Sequence, residues 1–160
     1  MSFSTFDYNM MELALEQAKL AFEMDEVPVG AVITLKDNII CKTHNLVEKN
    51  NNSSSHAEIL AIEQACRFLN TKYLTESTIY ITLEPCLMCA GALFWNKINR
   101  VVFGASDKKS GYSQHFIYPA TPFHPATAVN GGLLENDAQK LMQDFFKLKR
   151  SQKSTLKRSL

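Results

Sequence analysis

Pro85-Cys86-Leu87-Met88-Cys89 places two cysteines three residues apart, directly after a proline. One helical turn brings residues i and i+3 onto the same face, so both sulfurs can reach one metal ion. Proline favours a helix start because its missing N–H would be unpaired there, and the positive end of the helix dipole stabilises thiolates. A pair of core cysteines and a redox pair are the alternatives to a metal site.

A second motif upstream, His56-Ala57-Glu58, favours the metal site. H-x-E followed by P-C-x-x-C is the signature of zinc enzymes that deaminate nucleobases. On this interpretation His56, Cys86 and Cys89 bind zinc, and the fourth tetrahedral position is left for a water molecule whose pKa the metal lowers. Glu58 follows so closely after a ligand that it can lie beside this water without binding the metal.

Three other residues, Cys41, His44 and Cys66, are candidates for a fourth protein ligand, which would close the metal site to water. Cys66 comes ten residues after His56, roughly 15 Å along a helix, so it cannot share the ion. Cys41 and His44 are three apart on a predicted strand, and their side chains therefore point to opposite faces. The pattern favours an open, catalytic zinc site over a closed, structural one.

The composition is that of one domain of 160 residues, long enough to bury a core. No segment resembles a signal peptide, and no apolar run approaches the roughly 20 residues that span a bilayer. Four cysteines, two of them assigned to zinc, fit a reducing compartment. We therefore expect a cytoplasmic protein that does not enter a membrane.

The net charge of +1 conceals an asymmetry along the chain. Six of the 17 basic residues and none of the 16 acidic ones lie from Lys147 onward, which leaves 11 basic against 16 acidic residues, a net −5, in the first 146. A basic end on an acidic body points to a polyanionic partner. The alternative is a solvated, partly disordered terminus.

The apolar pattern predicts an α/β protein. Helices are predicted over 6–24, 56–69, 86–95 and 136–150, and strands over 29–35, 39–44, 79–83 and 100–105. The polar segment 48–55 and the proline-containing segment 106–130 are predicted as loops. A strand, a helix and a strand over 79–105 form a crossover between parallel strands, which places both metal-bearing helix starts at one edge of the sheet.

With these residues placed, the chain resembles the bacterial tRNA-specific adenosine deaminases of the cytidine-deaminase-like superfamily. The resemblance covers most of the chain, from the first helix to Arg150. It rests on six blocks: Glu26-Val27-Pro28-Val29-Gly30-Ala31-Val32, Asn45, His56-Ala57-Glu58, Thr82-Leu83-Glu84-Pro85-Cys86-Leu87-Met88-Cys89-Ala90-Gly91-Ala92, Val101-Val102-Phe103-Gly104-Ala105, and Asp144-Phe145-Phe146 with the basic residues after it.

The resemblance implies a three-layer α/β/α cytidine-deaminase-like fold with a five-stranded mixed sheet, a homodimer, and one Zn²⁺ per subunit. It implies hydrolytic deamination of adenosine to inosine at the wobble position of a tRNA anticodon. Residues 1–150 would form the deaminase domain, and 151–160 a basic C-terminal tail. The residues carried over are His56, Cys86 and Cys89 as metal ligands, Glu58 as the catalytic proton carrier, Asn45 as a contact to the base, and Asp107, Phe146 and Arg150 as contacts to the anticodon loop.

Some of these positions have a second interpretation or depart from the family pattern. Asn45 follows a strand, where a turn residue is the commonest use of asparagine. Phe123-His124-Pro125-Ala126 lacks the arginine of a His-Arg pair that the family often has there. Phe94-Trp95-Asn96 is bulkier than usual, and we expect Phe94 and Trp95 at the dimer interface, with ordinary core residues as the alternative.

Two other functions compete with the tRNA deaminase. The first is a free-base or nucleotide deaminase, most plausibly for guanine, which would need neither the basic end nor the pair Phe145-Phe146. The second is a zinc-stabilised RNA-binding module without catalysis, which would need no carboxylate such as Glu58 beside the metal.

Overall fold

The computed structural model of the chain describes residues 2–116 and 120–158. Within these ranges, five strands and five helices are present, and a 3₁₀ turn covers Tyr112–Gln114. The elements in chain order are α1 (Thr5–Glu23), β1 (Gly30–Leu35), β2 (Asn38–His44), α2 (Val47–Asn50), α3 (Ala57–Leu69), β3 (Ser77–Leu83), α4 (Leu87–Trp95), β4 (Arg100–Ala105), β5 (Ala128–Gly131) and α5 (Glu135–Arg158).

The strands form one mixed sheet in the order β2-β1-β3-β4-β5. β1 runs antiparallel to both β2 and β3, whereas β3, β4 and β5 are parallel to one another. The expected parallel crossover from β3 through α4 to β4 is therefore confirmed. The pattern of the sequence did not place β5, because four half-exposed residues are too short to show a periodicity.

Helices cover both faces of this sheet, which gives three layers. Successive residues of a strand point to opposite faces. Ile33, Ile81 and Val101 pack with Ala61 of α3 and Leu93 of α4 in one buried cluster. The neighbouring residues of the same strands pack with α1 in a second cluster, and α5 joins through Ala138. The predicted three-layer α/β/α fold with a five-stranded mixed sheet is confirmed.

Several predicted boundaries were wrong. α3 and α4 are capped by His56 and Cys86, so Pro85 precedes the cap and is not the first helical residue. The short helix α2 covers the residue before the predicted loop 48–55 and the first three residues of that loop. α5 continues from Arg150 to Arg158, because this stretch contains no glycine or proline to end it.

None of the described helices is long and apolar enough to cross a membrane.

Candidate active site

The starts of α3 and α4 bring three metal-binding side chains together. His56 and Cys86 are the residues that cap the two helices, and both have extended backbones. Cys89 lies one turn into α4 and is fully buried. Nδ1 of His56 lies 3.7 Å from Sγ of Cys86 and 3.5 Å from Sγ of Cys89. The ligand atoms of all three residues lie within 4.8 Å of one another, so they can hold one metal ion.

These distances fit a tetrahedral zinc site. With usual bond lengths of about 2.3 Å to sulfur and about 2.0–2.1 Å to nitrogen, a tetrahedral zinc ion separates a sulfur ligand from a nitrogen ligand by about 3.5 Å. The two distances observed here are 3.7 and 3.5 Å. Two thiolates and one imidazole are also a donor set that zinc prefers. The spacing of the motif and the geometry therefore agree.

Hydrogen bonds inside the triad favour the deprotonated form of Cys86. Hydrogen bonds from Cys89 and, to a smaller extent, from His56 lower the pKa of Cys86 to about 4, against the effect of burial. The same thiol contact and burial raise the pKa of Cys89. The hydrogen bond with Cys86 likewise raises the pKa of His56. These contacts favour the thiolate form of Cys86, which is the form in which a cysteine binds a metal ion.

Glu58 lies beside the triad without belonging to it. Its side chain is in the first turn of α3, only 4% of the residue is exposed, and its carboxylate is outside the group of close ligand atoms. Burial raises the pKa of Glu58, because the charged form loses its hydration. A carboxyl group with a raised pKa can both accept and return a proton near neutral pH.

Asn45 does more than either interpretation of the sequence expected. It is buried, and its Oδ1 accepts a hydrogen bond of 2.8 Å from the backbone N–H of Ala57. This bond satisfies one of the unpaired donors at the start of α3. Asn45 also lines the cleft, and its Nδ2 amide group adds two donors that can face a ligand.

A cleft of about 860 Å³ opens from these residues to the surface. Its floor contains Asn45, His56, Glu58 and Cys86. Its walls come from three other parts of the chain: Met24 to Val29 with Val47 and Glu48, then Asp107, Lys109 and Ser110, and finally α5 through Met142, Phe145, Phe146, Lys149 and Lys153. A buried polar floor under walls that carry aromatic and basic side chains suits a base attached to a polyanion.

Comparison with known proteins is consistent with this chemistry. The family model of the MafB19-like deaminases matches residues 6–150. A tRNA-specific adenosine deaminase of Bacillus subtilis is 39% identical over 158 residues, which cover 98% of both chains. That of Rickettsia typhi is 42% identical over 146 residues, 88% of this chain and 98% of its own.

The chain belongs to the tRNA-specific adenosine deaminase family.

Solved structures of other deaminases are similar to this one. A structure from studies of A-to-I editing by tRNA:A34 deaminases has a TM-score of 0.78 and 38% identity, over 83% of this chain and 98% of that one. A guanine deaminase of Bacillus subtilis has a TM-score of 0.61 and 26% identity, over 73% and 80% of the two chains. The family resemblance seen in the sequence is confirmed.

The deaminase brings together the three residues that the resemblance assigned to the anticodon loop. Asp107, Phe146 and Arg150 line a second cleft of about 500 Å³ that adjoins the first. Phe146 is 43% exposed, and its ring packs edge-on against Phe145 at 5.4 Å between centroids. Asp107 Oδ1 accepts hydrogen bonds from the N–H groups of Lys109 and Ser110 and so closes a turn.

The pair Phe94-Trp95 is divided between core and surface. Trp95 is 75% exposed, so the alternative of an ordinary core residue is wrong for this side chain. Phe94 is half-buried, and its ring contacts those of Trp95 and His124. His124 belongs to the stretch 123–126, where the resemblance led us to expect an arginine, and its ring packs against Phe94 of α4.

Reasoning from the sequence missed part of the cleft. Lys109, Ser110 and Lys153 line it, and two buried carboxylates, Glu26 and Glu84, hold its walls through backbone N–H groups. Each glutamate lies in a block that carries the family resemblance. No periodicity or spacing indicates which backbone groups a carboxylate will bind.

Proposed function

We propose that this deaminase converts adenosine to inosine at the wobble position of a tRNA anticodon, with release of ammonia. The observation that carries the proposal is the buried triad of His56, Cys86 and Cys89, with Glu58 beside it, at the floor of a cleft with an aromatic and basic wall. The curated relatives named tRNA-specific adenosine deaminases support the same substrate.

In this proposal His56, Cys86 and Cys89 hold one Zn²⁺ per subunit. When bound, zinc supplies an activated water molecule and a Lewis acid. Glu58 takes a proton from the attacking water as its oxygen adds to C6 of adenine, and delivers that proton to the ring nitrogen. In a second transfer Glu58 moves the remaining proton of the added hydroxyl group to the amino group, the bond between C6 and this nitrogen breaks, and ammonia leaves. Both transfers use one carboxyl group, whose burial raises its pKa.

Asn45 orients the base in this reaction. Its oxygen is occupied by the N–H of Ala57, so its Nδ2 groups donate to an acceptor on the base or the ribose. The bond to Ala57 also fixes the start of α3, next to the metal ligand His56. Asn45 therefore connects substrate binding to the position of a metal ligand.

The C-terminal helix contacts the RNA around the flipped base. Phe146 offers a ring face to an unstacked neighbour, and Arg150 lies in the same cleft for a phosphate. Lys109 and Lys153 add positive charge on two walls of the first cleft.

Arg150→Gln is expected to weaken the salt dependence of RNA binding. The slope of log affinity for an anticodon stem-loop against log salt concentration should decrease in magnitude by about 0.7, the value for one phosphate of a single strand.

Phe146→Ala is expected to raise the KM for an anticodon stem-loop and leave kcat and zinc content nearly unchanged. Stacking on an aromatic ring contributes about 1–3 kcal/mol per base, which corresponds to an increase in KM between about 5-fold and 150-fold. Leu148→Ala is the matched control, because Leu148 has the same 43% exposure on the same helix and lines neither cleft. Equal KM values for the two variants would contradict the role given to Phe146.

The substrate is tested directly with three solutions of the zinc-loaded enzyme. One receives an anticodon stem-loop with adenosine at the wobble position, the second the same RNA with this adenosine moved one position, and the third free guanine. We expect inosine and ammonia in the first alone. Guanine deaminase is the second candidate, because a guanine deaminase shares the fold at 26% identity. Ammonia from guanine without inosine in the RNA would establish that alternative.

We also propose a homodimer with Trp95 and Phe94 at its interface, because the large side chain of Trp95 is exposed in the single chain. A monomer mass from light scattering at micromolar concentration would contradict this.

We further propose that residues 1–150 form the deaminase domain and that 151–160 form a basic extension. The family match, which ends at residue 150, supports this division. Four free cysteines, two of them in the metal group, favour a reducing compartment such as the cytoplasm.

A further inference from the structure

The segment 107–113 forms one wall of the cleft and is fastened to the start of the metal-binding helix. Asp107, Lys109 and Ser110 line the cleft. The N–H of Tyr112 donates a 2.9 Å hydrogen bond to the carbonyl of Pro85. Gly111 forms an isolated antiparallel bridge with Cys86, which is itself a metal ligand in the proposed function. This wall is thus built directly on the segment that carries the metal site.

Glu84 holds both ends of the same segment. The residue is buried, with 3% of its surface exposed. Its Oε2 accepts a hydrogen bond of 3.0 Å from the N–H of Asp107, and its Oε1 accepts one of 2.8 Å from the N–H of Ser113. Both carboxylate oxygens are therefore engaged by backbone donors. Hydrogen bonds to a charged, buried acceptor are among the stronger ones in proteins.

Gly111 leaves the space that this arrangement needs. A Cβ atom on Gly111 would lie 2.5 Å from Cδ of Glu84, 2.6 Å from its Oε2 and 2.6 Å from the backbone carbonyl oxygen of Asp107. The backbone of Gly111, with φ of −61° and ψ of 149°, is one that any residue adopts. The glycine is therefore required for the close approach of the carboxylate and of the Asp107 carbonyl, and not for its backbone conformation.

We propose that Glu84 is a positioning residue of the deaminase site, which fixes the segment 107–113 against the metal-binding segment through its two backbone hydrogen bonds. It keeps Asp107 and Lys109 at a constant distance from the three metal-binding side chains and from Glu58. Glu84 acts through this segment and not on the substrate, since the partners of its two oxygens are the N–H groups of Asp107 and Ser113. The effect expected on substrate binding rests on the proposed function, whereas the effect on the segment itself does not.

Another wall of the cleft contains an equivalent carboxylate that serves as a control. Glu26 is buried, and it accepts hydrogen bonds of 3.1 and 2.8 Å from the N–H groups of Glu48 and Lys49 at the start of α2. Trypsin cleaves after lysine, so Lys49 reports on this wall, whereas Lys108 and Lys109 report on the wall held by Glu84. The two walls can be examined separately in one protein.

Glu84→Gln is expected to expose the segment 107–113 while the rest of the protein stays folded. The amide keeps one acceptor oxygen but presents an NH₂ group to the second backbone N–H, so one charged hydrogen bond is lost. Loss of such a bond should increase trypsin cleavage after Lys108 and Lys109 about 10-fold to 100-fold, below the melting temperature. Glu26→Gln should increase cleavage after Lys49 and leave Lys108 and Lys109 protected.

The kinetic part of the test separates positioning from a general loss of stability. In Glu84→Gln, KM for the anticodon stem-loop should rise about 10-fold, while kcat stays within about 3-fold and zinc content is unchanged, because Glu58 and the triad are untouched. A purely structural role would instead lower kcat per total protein at constant KM, with cleavage throughout the chain. If the wild type deaminates no stem-loop, the proposed function fails, and the cleavage pattern alone decides the role of Glu84.

Gly111→Ala provides an independent route to the same contact, and it carries the test alone if Glu84→Gln does not fold. The added methyl group meets both the Glu84 carboxylate and the Asp107 carbonyl, so cleavage after Lys108 and Lys109 should again increase. In the double variant the two effects should combine to less than their product, because each change weakens the same contact with Glu84. Wild-type cleavage in a folded Glu84→Gln variant, or in Gly111→Ala, would overturn the proposal.

Discussion

Glu58→Gln is expected to lower kcat on an anticodon stem-loop by about 10²-fold to 10⁴-fold, the usual contribution of general acid–base catalysis. The amide has the size of the carboxyl group, but it can neither take a proton from water nor return one to the base. Zinc content should remain that of the wild type, because Glu58 lies outside the group of close ligand atoms. The measurements are single-turnover inosine formation and metal analysis of the same sample.

Glu63→Gln is the matched control for this variant. Glu63 lies on the same helix, is exposed, and lines no part of the cleft. It should therefore behave as the wild type in both measurements. Loss of zinc from Glu58→Gln would show that Glu58 helps to bind the metal, and near-normal kcat with zinc retained would remove it from the chemistry.

Cys89→Ala should remove the metal and a large part of the protein's stability. Cys89 is fully buried at the junction of α3 and α4, and two remaining ligands do not make a zinc site of ordinary affinity. Because metal binding contributes free energy to folding, the melting temperature should fall at least to that of wild-type protein treated with a chelator. Adding the chelator to the variant should not change its melting temperature.

Cys41→Ala tests whether the loss comes from the metal or from a cavity. Cys41 is also buried, and its Sγ donates to the carbonyl of Ala61, away from the triad. The same truncation there should cost some stability by leaving a small cavity, with zinc content unchanged. Full zinc occupancy in Cys89→Ala would contradict the assignment of this cysteine as a ligand.

The parts of the site that lie in short motifs could be predicted from the sequence. Helix geometry indicates that Cys86 and Cys89 can reach one ion, and the motif H-x-E with P-C-x-x-C adds His56 and Glu58 to the same site. The sheet was predictable where apolar strands are long, as in β1, β3 and β4. In each case, the information lies within a few consecutive residues.

What the sequence did not predict depends on contacts between distant segments. The oxygen of Asn45 is taken by the N–H of Ala57, twelve residues away. Glu84 finds its donors at Asp107 and Ser113, which are 23 and 29 residues away. β5 is recognisable only by its pairing with β4, because its own residues show no pattern.

The same long-range geometry has a consequence for chain topology. His56 and Cys86 are separated by 30 residues, and all of β3 lies between them. A metal ion bound to both closes this stretch into a ring, as a disulfide would. If the link persists in the unfolded chain, a ring of about thirty residues removes chain entropy equivalent to about 4 kcal/mol at 25 °C.

That ring encloses β3, the middle strand of the sheet. A metal ion bound there would therefore restrain the centre of the molecule, whereas the outer strands β2 and β5 lie outside the ring. Partial unfolding of the loaded enzyme should start at these outer strands and spread inward, and the tethered segment should be the last to lose its hydrogen-exchange protection.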